Sequence, residues 1–370
     1  MRKTLEEIII QAAQDGASDI HLTAGQPPKY RLHGQIQSMN DESLSKEDCI
    51  EYAKELVGDD WRQIESIGEI DAAKTVAGHR IRINLYRVSG TISAALRLLS
   101  DYIPKISELN LPEAVSKFPT YQKGIVLVTG ETGSGKSTTL AAILDEINHT
   151  RNEHIITLED PIEYIYKPDK CVISQREVGT DTRSYSDGLR AILREDPDII
   201  LIGEMRDGDT IETALTAAET GHLVFATLHT NSASDSIDRI VGTFPPEHQA
   251  QIRLQLSTTI KAVLSQQLVV RKGGKGRIAA CEVMISTPAI KNQIREGKTP
   301  QMESAILTSA KEGSVTMDNY LIKLVKDGYI DPETAVEAAN KSDYVQQNVM
   351  GMGGGRPSSS SFSRTTTIRR

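Results

Sequence analysis

Residues 130–138, Gly130-Glu131-Thr132-Gly133-Ser134-Gly135-Lys136-Ser137-Thr138, match G-x-x-x-x-G-K-[ST] and form a phosphate-binding loop. The residue types follow from the task. Backbone N–H groups must turn inward onto phosphate oxygens, and glycine lets them approach without a Cβ clash. Lys136 supplies a point charge for β- and γ-phosphates, and the Ser137 hydroxyl suits a Mg²⁺ ligand. The apolar run Ile125-Val126-Leu127-Val128 before the loop reads as a buried strand. Thr138 to Asn148 after it reads as a helix, whose N-terminal dipole favours an anion.

Three further stretches carry candidate chemistry. Ile199-Ile200-Leu201-Ile202 leads into Gly203-Glu204, an apolar strand ending in a carboxylate able to reach Mg²⁺, usually through water. Ile156-Thr157-Leu158 is followed by Glu159, Asp160 and Glu163, with Pro161 preventing a regular helix between them. A nucleotide hydrolase needs a carboxylate that polarises the attacking water, and Glu163 and Glu159 are both candidates. Either could instead pair with a surface Arg or Lys. Residues 219–231 place His222 before, and His229 after, the buried strand 223–228. His229 lies at the strand's C-terminal end, where open α/β sheets place their ligands.

The elements that must position these residues divide the chain. Residues 1–99 read as a small α+β domain. It has helices at 4–15 and from Ser45 to about Val57, and strands near 18–22, 30–33, 69–76, 80–88 and 91–99, with a hairpin around Gly34. Residues 100–112 contain two prolines and read as a linker. From about 113 strands and helices alternate, the mark of a parallel sheet. Strands are expected at 124–129, 154–158, 171–174, 198–202 and 223–228. Helices are expected at 136–148, 184–195, 208–220 and 233–242. One long helix is expected at 247–269, a strand at 277–286 and mostly helix at 288–340. Residues 346–370 are Gly/Ser-rich and basic and read as a disordered tail.

Composition narrows the class. The 370 residues are 38% hydrophobic and 25% charged, as in globular proteins, but only 4% aromatic, so the cores must be aliphatic. A net charge of −8 argues against a general nucleic-acid binder. Cys49, Cys171 and Cys281 are widely spaced, suggesting neither a disulfide framework nor a zinc site. No apolar run approaches the ~18 residues needed to span a bilayer, and Glu6 and Glu7 interrupt any signal-peptide core.

GETGSGKST, ITLEDPIEY, DIILIGEMRD and ETGHLVFATLHTN occur in this order. They resemble the Walker A, Asp-box, Walker B and His-box of the secretion ATPase superfamily (the GspE/PulE/PilT family), which powers type II and IV secretion and type IV pili. The N-terminal GASDIHL and a segment beginning at Ala289 narrow the resemblance to its pilus retraction branch. It covers residues 1–345. The resemblance implies a RecA-like P-loop core (113–345, with a C-terminal helical region at about 287–345) and a PAS-like N-terminal domain. It also implies a homohexamer that hydrolyses ATP with Mg²⁺ to drive pilus retraction and twitching motility. On this reading Glu204 acts near the metal and Glu163 is the general base. The matching arginines are Arg80, Arg82, Arg87 and Arg97, of which Arg82 and Arg97 best fit a contact with the phosphates, supplied across a subunit boundary. The implied setting is the cytoplasmic face of the inner membrane. The implied partners are a PilC-like platform protein and a paralogous retraction ATPase, with no nucleic acid.

Alternatives are an extension or secretion motor, a non-catalytic ring subunit regulating a motor, or a nucleic-acid translocase. The first class usually carries an additional N-terminal region and a four-cysteine zinc insert, and no cysteine cluster occurs here. Intact Lys136, Glu163 and Glu204 argue against the second. The segment Ala289-Ile290-Lys291-Asn292-Gln293-Ile294-Arg295-Glu296 resembles the family's retraction motif, departing at Lys291 and Gln293. Ile290 and Ile294 at i, i+4 fit a core-facing helix as well as a partner site.

Overall fold

The computed structural model describes residues 3–32, 35–99 and 102–349. The turn expected at Gly34, the start of the linker, and the tail arginines Arg356, Arg364, Arg369 and Arg370 lie outside them.

The N-terminal domain contains helices α1 (Leu5–Gln14), α2 (Lys46–Val57) and α3 (Ile64–Ile67). Its strands are β1 (Asp19–Thr23), β2 (Lys29–Leu32), β3 (Gln35–Ser38), β4 (Glu69–Val76), β5 (His79–Val88) and β6 (Thr91–Leu98). Thr4 and Ser45 cap α1 and α2 through reciprocal capping boxes with Glu7 and Asp48. The strands form one antiparallel sheet in the order β3-β2-β1-β6-β5-β4. Its alternation is strict: Ile81, Ile83 and Leu85 of β5 are buried with Ile8, Ile9 and Tyr52 of the helices. Arg80, Arg82 and Asn84 therefore share the opposite face.

The second domain holds β7 (Gly124–Thr129), α4 (Lys136–Thr150), β8 (His154–Glu159), β9 (Val172–Glu177), α5 (Tyr185–Ile192), β10 (Ile199–Ile202), α6 (Gly208–Glu219) and β11 (Leu223–Leu228). It continues with α7 (Ala233–Gly242), α8 (Pro246–Thr259), β12 (Ile260–Val270), β13 (Arg277–Ile285), α9 (Pro288–Glu296), α10 (Met302–Thr308), α11 (Met317–Lys326), α12 (Pro332–Glu337) and α13 (Ser342–Val349). The sheet order is β13-β12-β7-β11-β10-β8-β9, parallel throughout except for β12 with β13. Helices cover both faces, so β7 is buried along its whole length. Val126 and Val128 enter one core with Leu140, Ile143 and Leu321. Ile125 and Leu127 enter the other with Leu189, Ile211 and Ile237. At about 1.5–3 kcal/mol for each such side chain, this strand strongly resists displacement.

The expected strands and helices appear within a few residues, with one substantial correction. The expected long helix at 247–269 ends at Thr259, and Ile260–Val270 is a strand. Both its neighbours, β7 and β13, bond to it, so it lies inside the sheet. Burial on both faces removes the period-two signal and leaves an apolar run that periodicity alone cannot assign. The ordered chain also continues past residue 345: α13 extends to Val349, and Val345 and Val349 are both buried. In α9, Ile290 and Ile294 are fully buried in the second core, which favours the core-facing reading of that segment. Among the described residues no helix is long and apolar enough to cross a membrane.

Candidate nucleotide site

The phosphate loop connects β7 to α4 at the C-terminal edge of the parallel sheet. Its glycines are demanded by space as well as by conformation. Gly130 has φ +142°, and a Cβ there would lie 2.2 Å from the Gln266 carbonyl oxygen. Gly135, the N-cap of α4, is left-handed at φ +92°. Helices α1, α2, α5, α6 and α7 each begin with a side chain accepting from a first-turn amide. Helix α4 has no such cap and no acidic residue in its first turn, so its amide end is free to take an anion. The Lys136 ammonium donates to the carbonyls of Gly130 at 2.7 Å and Glu131 at 2.9 Å. Burial lowers its pKa, partly offset by the negative charges of Glu204 and Glu163.

A cavity of about 510 Å³ opens in front of this loop. Thr132, Gly133, Gly135, Lys136, Ser137 and Thr138 line one side of it. Glu159, Asp160, Glu163, Glu204 and His229 line it from the ends of neighbouring strands, and Arg82 and Arg97 close it from the N-terminal domain. A size and lining of this kind fit a nucleotide with a divalent cation: a cationic and amide-rich floor for phosphates, and a hydroxyl with a carboxylate for the ion.

Glu204 follows β10 directly. Its carboxylate accepts from Arg206 at 2.7 Å and lies 3.3 Å from His229 Nε2. Burial works to raise its pKa, but Arg206 and His229 outweigh it and hold the group below the usual carboxylate value. Thr227 at the end of β11 donates to the Gly203 carbonyl, and the Met205 amide donates back to the Thr227 carbonyl at 3.1 Å, fixing this turn. Glu159, deeper in the wall, is different. Burial pushes its carboxyl up to about 7, opposed by the neutral donors Thr157 and Gln175. Glu163 is exposed, beyond the Asp160–Pro161 turn.

Three of the expected candidates lie elsewhere. His222 is at the opposite end of β11 from His229, near the Ala217 carbonyl at 2.9 Å, where it closes the turn after α6. Arg87 stands an odd number of residues from Arg82, is exposed, and donates to the Glu65 carbonyl at 3.3 Å. Arg80 shares Arg82's face but bonds Glu177 at 2.6 Å. Arg82 and Arg97 are cross-strand partners on β5 and β6, and within this single chain they line the same cavity as the phosphate loop.

Sequence reasoning missed Arg206, although it lies within DIILIGEMRD, and it missed Gln266. Buried Gln266 donates to the Ser134 carbonyl at 2.7 Å and accepts from Thr139 at 3.0 Å, bracing the loop from β12. Tyr164, whose hydroxyl is 2.8 Å from that of Thr138, also lines the cavity.

The family model described as Type II/IV secretion system protein matches residues 1–335. The type IV pilus retractation ATPase PilT of Pseudomonas aeruginosa is 46% identical over 337 residues, covering 90% of this chain and 98% of that protein. A twitching motility protein of Neisseria gonorrhoeae is 42% identical over 318 residues, covering 85% of each chain. Among solved structures, the pilus retraction motor PilT with bound ADP matches with a TM-score of 0.87 at 45% identity, covering 94% of this chain and 100% of that one. The fold is thus a RecA-like core preceded by a smaller N-terminal domain. With the phosphate loop, both carboxylate strands and the His229 strand in one arrangement, this chain belongs to the Type II/IV secretion system protein family.

Proposed function

We propose that this chain is an ATP-hydrolysing motor that assembles as a homohexamer and drives retraction of a type IV pilus. One observation carries the reading: the phosphate loop, Glu163, Glu204, Arg82 and Arg97 all face a single cavity. Likeness to the Pseudomonas PilT and to the Neisseria twitching motility protein supports the choice of pilus retraction among the motors of this family.

The residues divide the work. Lys136 exchanges the Gly130 and Glu131 carbonyls for the β- and γ-phosphates, while the amides of residues 133–138 hold the remaining oxygens. Ser137, and Glu204 through water, would hold Mg²⁺, which would supply positive charge to offset that of the phosphates. Glu163 orients the attacking water and accepts its proton as the oxygen bonds to the γ-phosphorus and ADP leaves. Arg82 and Arg97 offset the charge on the transferring phosphoryl group. Because they stand on another domain, nucleotide occupancy favours closure of that domain and product release favours opening. In a ring, this rigid-body motion would act on a platform protein at the cytoplasmic face of the membrane, alongside any paralogous ring subunit.

Deleting the gene in a piliated host tests the reading. Retraction should stop while surface pili accumulate. Loss of pili instead would make this an extension motor and overturn the proposal.

A further inference from the structure

Arg80 and Arg82 are two residues apart on one face of β5, yet they meet different chemistry. Arg82 faces the nucleotide cavity. Arg80 reaches across the domain boundary, and its Nη2 donates to Glu177 Oε2 at 2.6 Å. Both side chains are largely buried, at 18% and 9% exposure. The same oxygen, Glu177 Oε2, also accepts the backbone N–H of Ile162 at 3.1 Å. Ile162 immediately precedes Glu163.

The carboxylate stands on a rigid base. Glu177 ends β9 opposite Glu159 of β8, and the next amide, that of Val178, donates to the Glu159 carbonyl at 2.8 Å. The Glu177 carbonyl accepts from the amides of Thr180, Asp181 and Thr182, and its own amide donates to Asp181 Oδ2 at 2.8 Å. Thr180 Oγ1 adds a 3.4 Å contact to Glu177 Oε1. The element of this cluster that can leave is Arg80, because it belongs to the other domain. Its Nε is buried without a hydrogen-bond partner, so the guanidinium is held end-on by Glu177. Withdrawing it leaves a buried carboxylate without its counter-charge. Such a group must draw in water or shift, and the Ile162 amide shifts with it.

We propose that Glu177 is a positioning residue that couples closure of the N-terminal domain to the placement of Glu163: Arg80 docks on Glu177 when the domain closes, and the shared oxygen then fixes the Ile162 amide. Arg82, two residues along, reaches the phosphates in the same movement. Hydrolysis is thereby tied to the closed arrangement, and a bound nucleotide with the domain swung away is spared. The proposal rests on the hydrolytic reading above.

The test compares the full chain carrying Arg80→Ala, Glu177→Gln and both. In ATP turnover each single variant is expected to lower kcat about tenfold, as for a misplaced catalytic group, while KM and ADP affinity change less than about twofold. The double variant should match the singles, not multiply them, because the two act as one unit. Arg80→Lys, which keeps the charge, should recover most of the rate. Amide hydrogen exchange across residues 160–166 should accelerate about tenfold in Arg80→Ala relative to the parent when both are saturated with a non-hydrolysable ATP analogue. A raised KM with kcat retained would make Arg80 a phosphate ligand and overturn the proposal, as would multiplicative losses, an unchanged kcat or unchanged exchange. If the unsubstituted protein does not hydrolyse ATP, the proposed function fails, and the exchange experiment alone still decides whether Arg80 holds the 160–166 loop.

Discussion

The two sheets supply opposite walls of one cavity by opposite means. The strands at the centre of the parallel sheet, β7, β10 and β11, are buried along their whole length and almost entirely apolar, so they offer little polar chemistry from their middles. All its chemistry is displaced to the C-terminal ends of the strands: the loop after β7, Glu159 to Glu163 after β8, Glu204 after β10 and His229 after β11. The N-terminal sheet is antiparallel and buries one face only. It contributes from the middle of its strands, through Arg82 and Arg97 facing each other in register on the open side. A functional residue in the first sheet is defined by where a strand stops, and in the second by parity and pairing. Loss of one strand-end group leaves a gap in a rigid frame, whereas a one-residue slip in β5 would turn every arginine over.

The sharpest way to break this comparison is at the rigid wall. Lys136→Ala removes the buried ammonium but leaves α4 anchored by Leu140, Ile143 and Ile147, all in the core. ATP turnover should fall by on the order of 10³-fold or more, with far-UV circular dichroism and Tm nearly unchanged. Turnover persisting in this variant would sink the assignment of the loop.

The next effect tests whether both walls belong to one chain. Arg82→Ala should lower turnover on the order of 10²-fold, and Arg97→Ala less, because Arg97 also donates to Asp19 at 2.9 Å within its own domain. Mixed assemblies decide the geometry. Subunits carrying Lys136→Ala combined with subunits carrying Arg82→Ala have no complete site if each cavity is built from a single chain, so the mixture should stay inactive. If the arginines acted on a neighbour, about a quarter of the sites in an equal mixture would be whole, and activity would return.

This contrast also explains what could be read from the amino-acid sequence. The rigid wall is contiguous in sequence: an apolar run followed by the functional group recurs at 124–137, 155–163, 199–204 and 223–229, with a glycine between the two in the first and third, so both strands and site residues were legible. Gln266 was not, because it lies in a segment that periodicity assigned to a helix. Its role exists only once β12 pairs with β7 and brings it beneath Ser134 and Thr139. The arginine wall was half legible. Arg80, Arg82, Arg87 and Arg97 are equivalent as letters. Strand parity removes Arg87, but only the approach of the second domain separates Arg80, paired with Glu177, from Arg82 at the cavity. His222 and His229 flank the same strand, and direction alone puts them at opposite poles.

The smallest effect is a pH dependence that sets one carboxylate from each sheet against the other. Asp19 on β1 is partly desolvated, but Ser18 and Arg97 outweigh this and lower its pKa. Its contribution to stability is present above the unfolded value and is lost only as pH falls through the lowered one, well into acid. Glu159 runs the other way. Its folded value of about 7 lies above the unfolded value of 4.5, so between these limits the folded state binds more protons than the unfolded chain. Stability therefore falls as pH rises through that window and levels off above it, by on the order of 3 kcal/mol in total. Glu159→Gln keeps an oxygen to accept from Thr157 and Gln175 but cannot ionise. In nucleotide-free protein its Tm should match the parent near pH 5 and exceed it by a few degrees at pH 8. A difference constant across that range would mean that Glu159 is ionised throughout. The wall built from strand ends would then be as well solvated as the open face of the N-terminal sheet, and the contrast between them would lose its electrostatic basis.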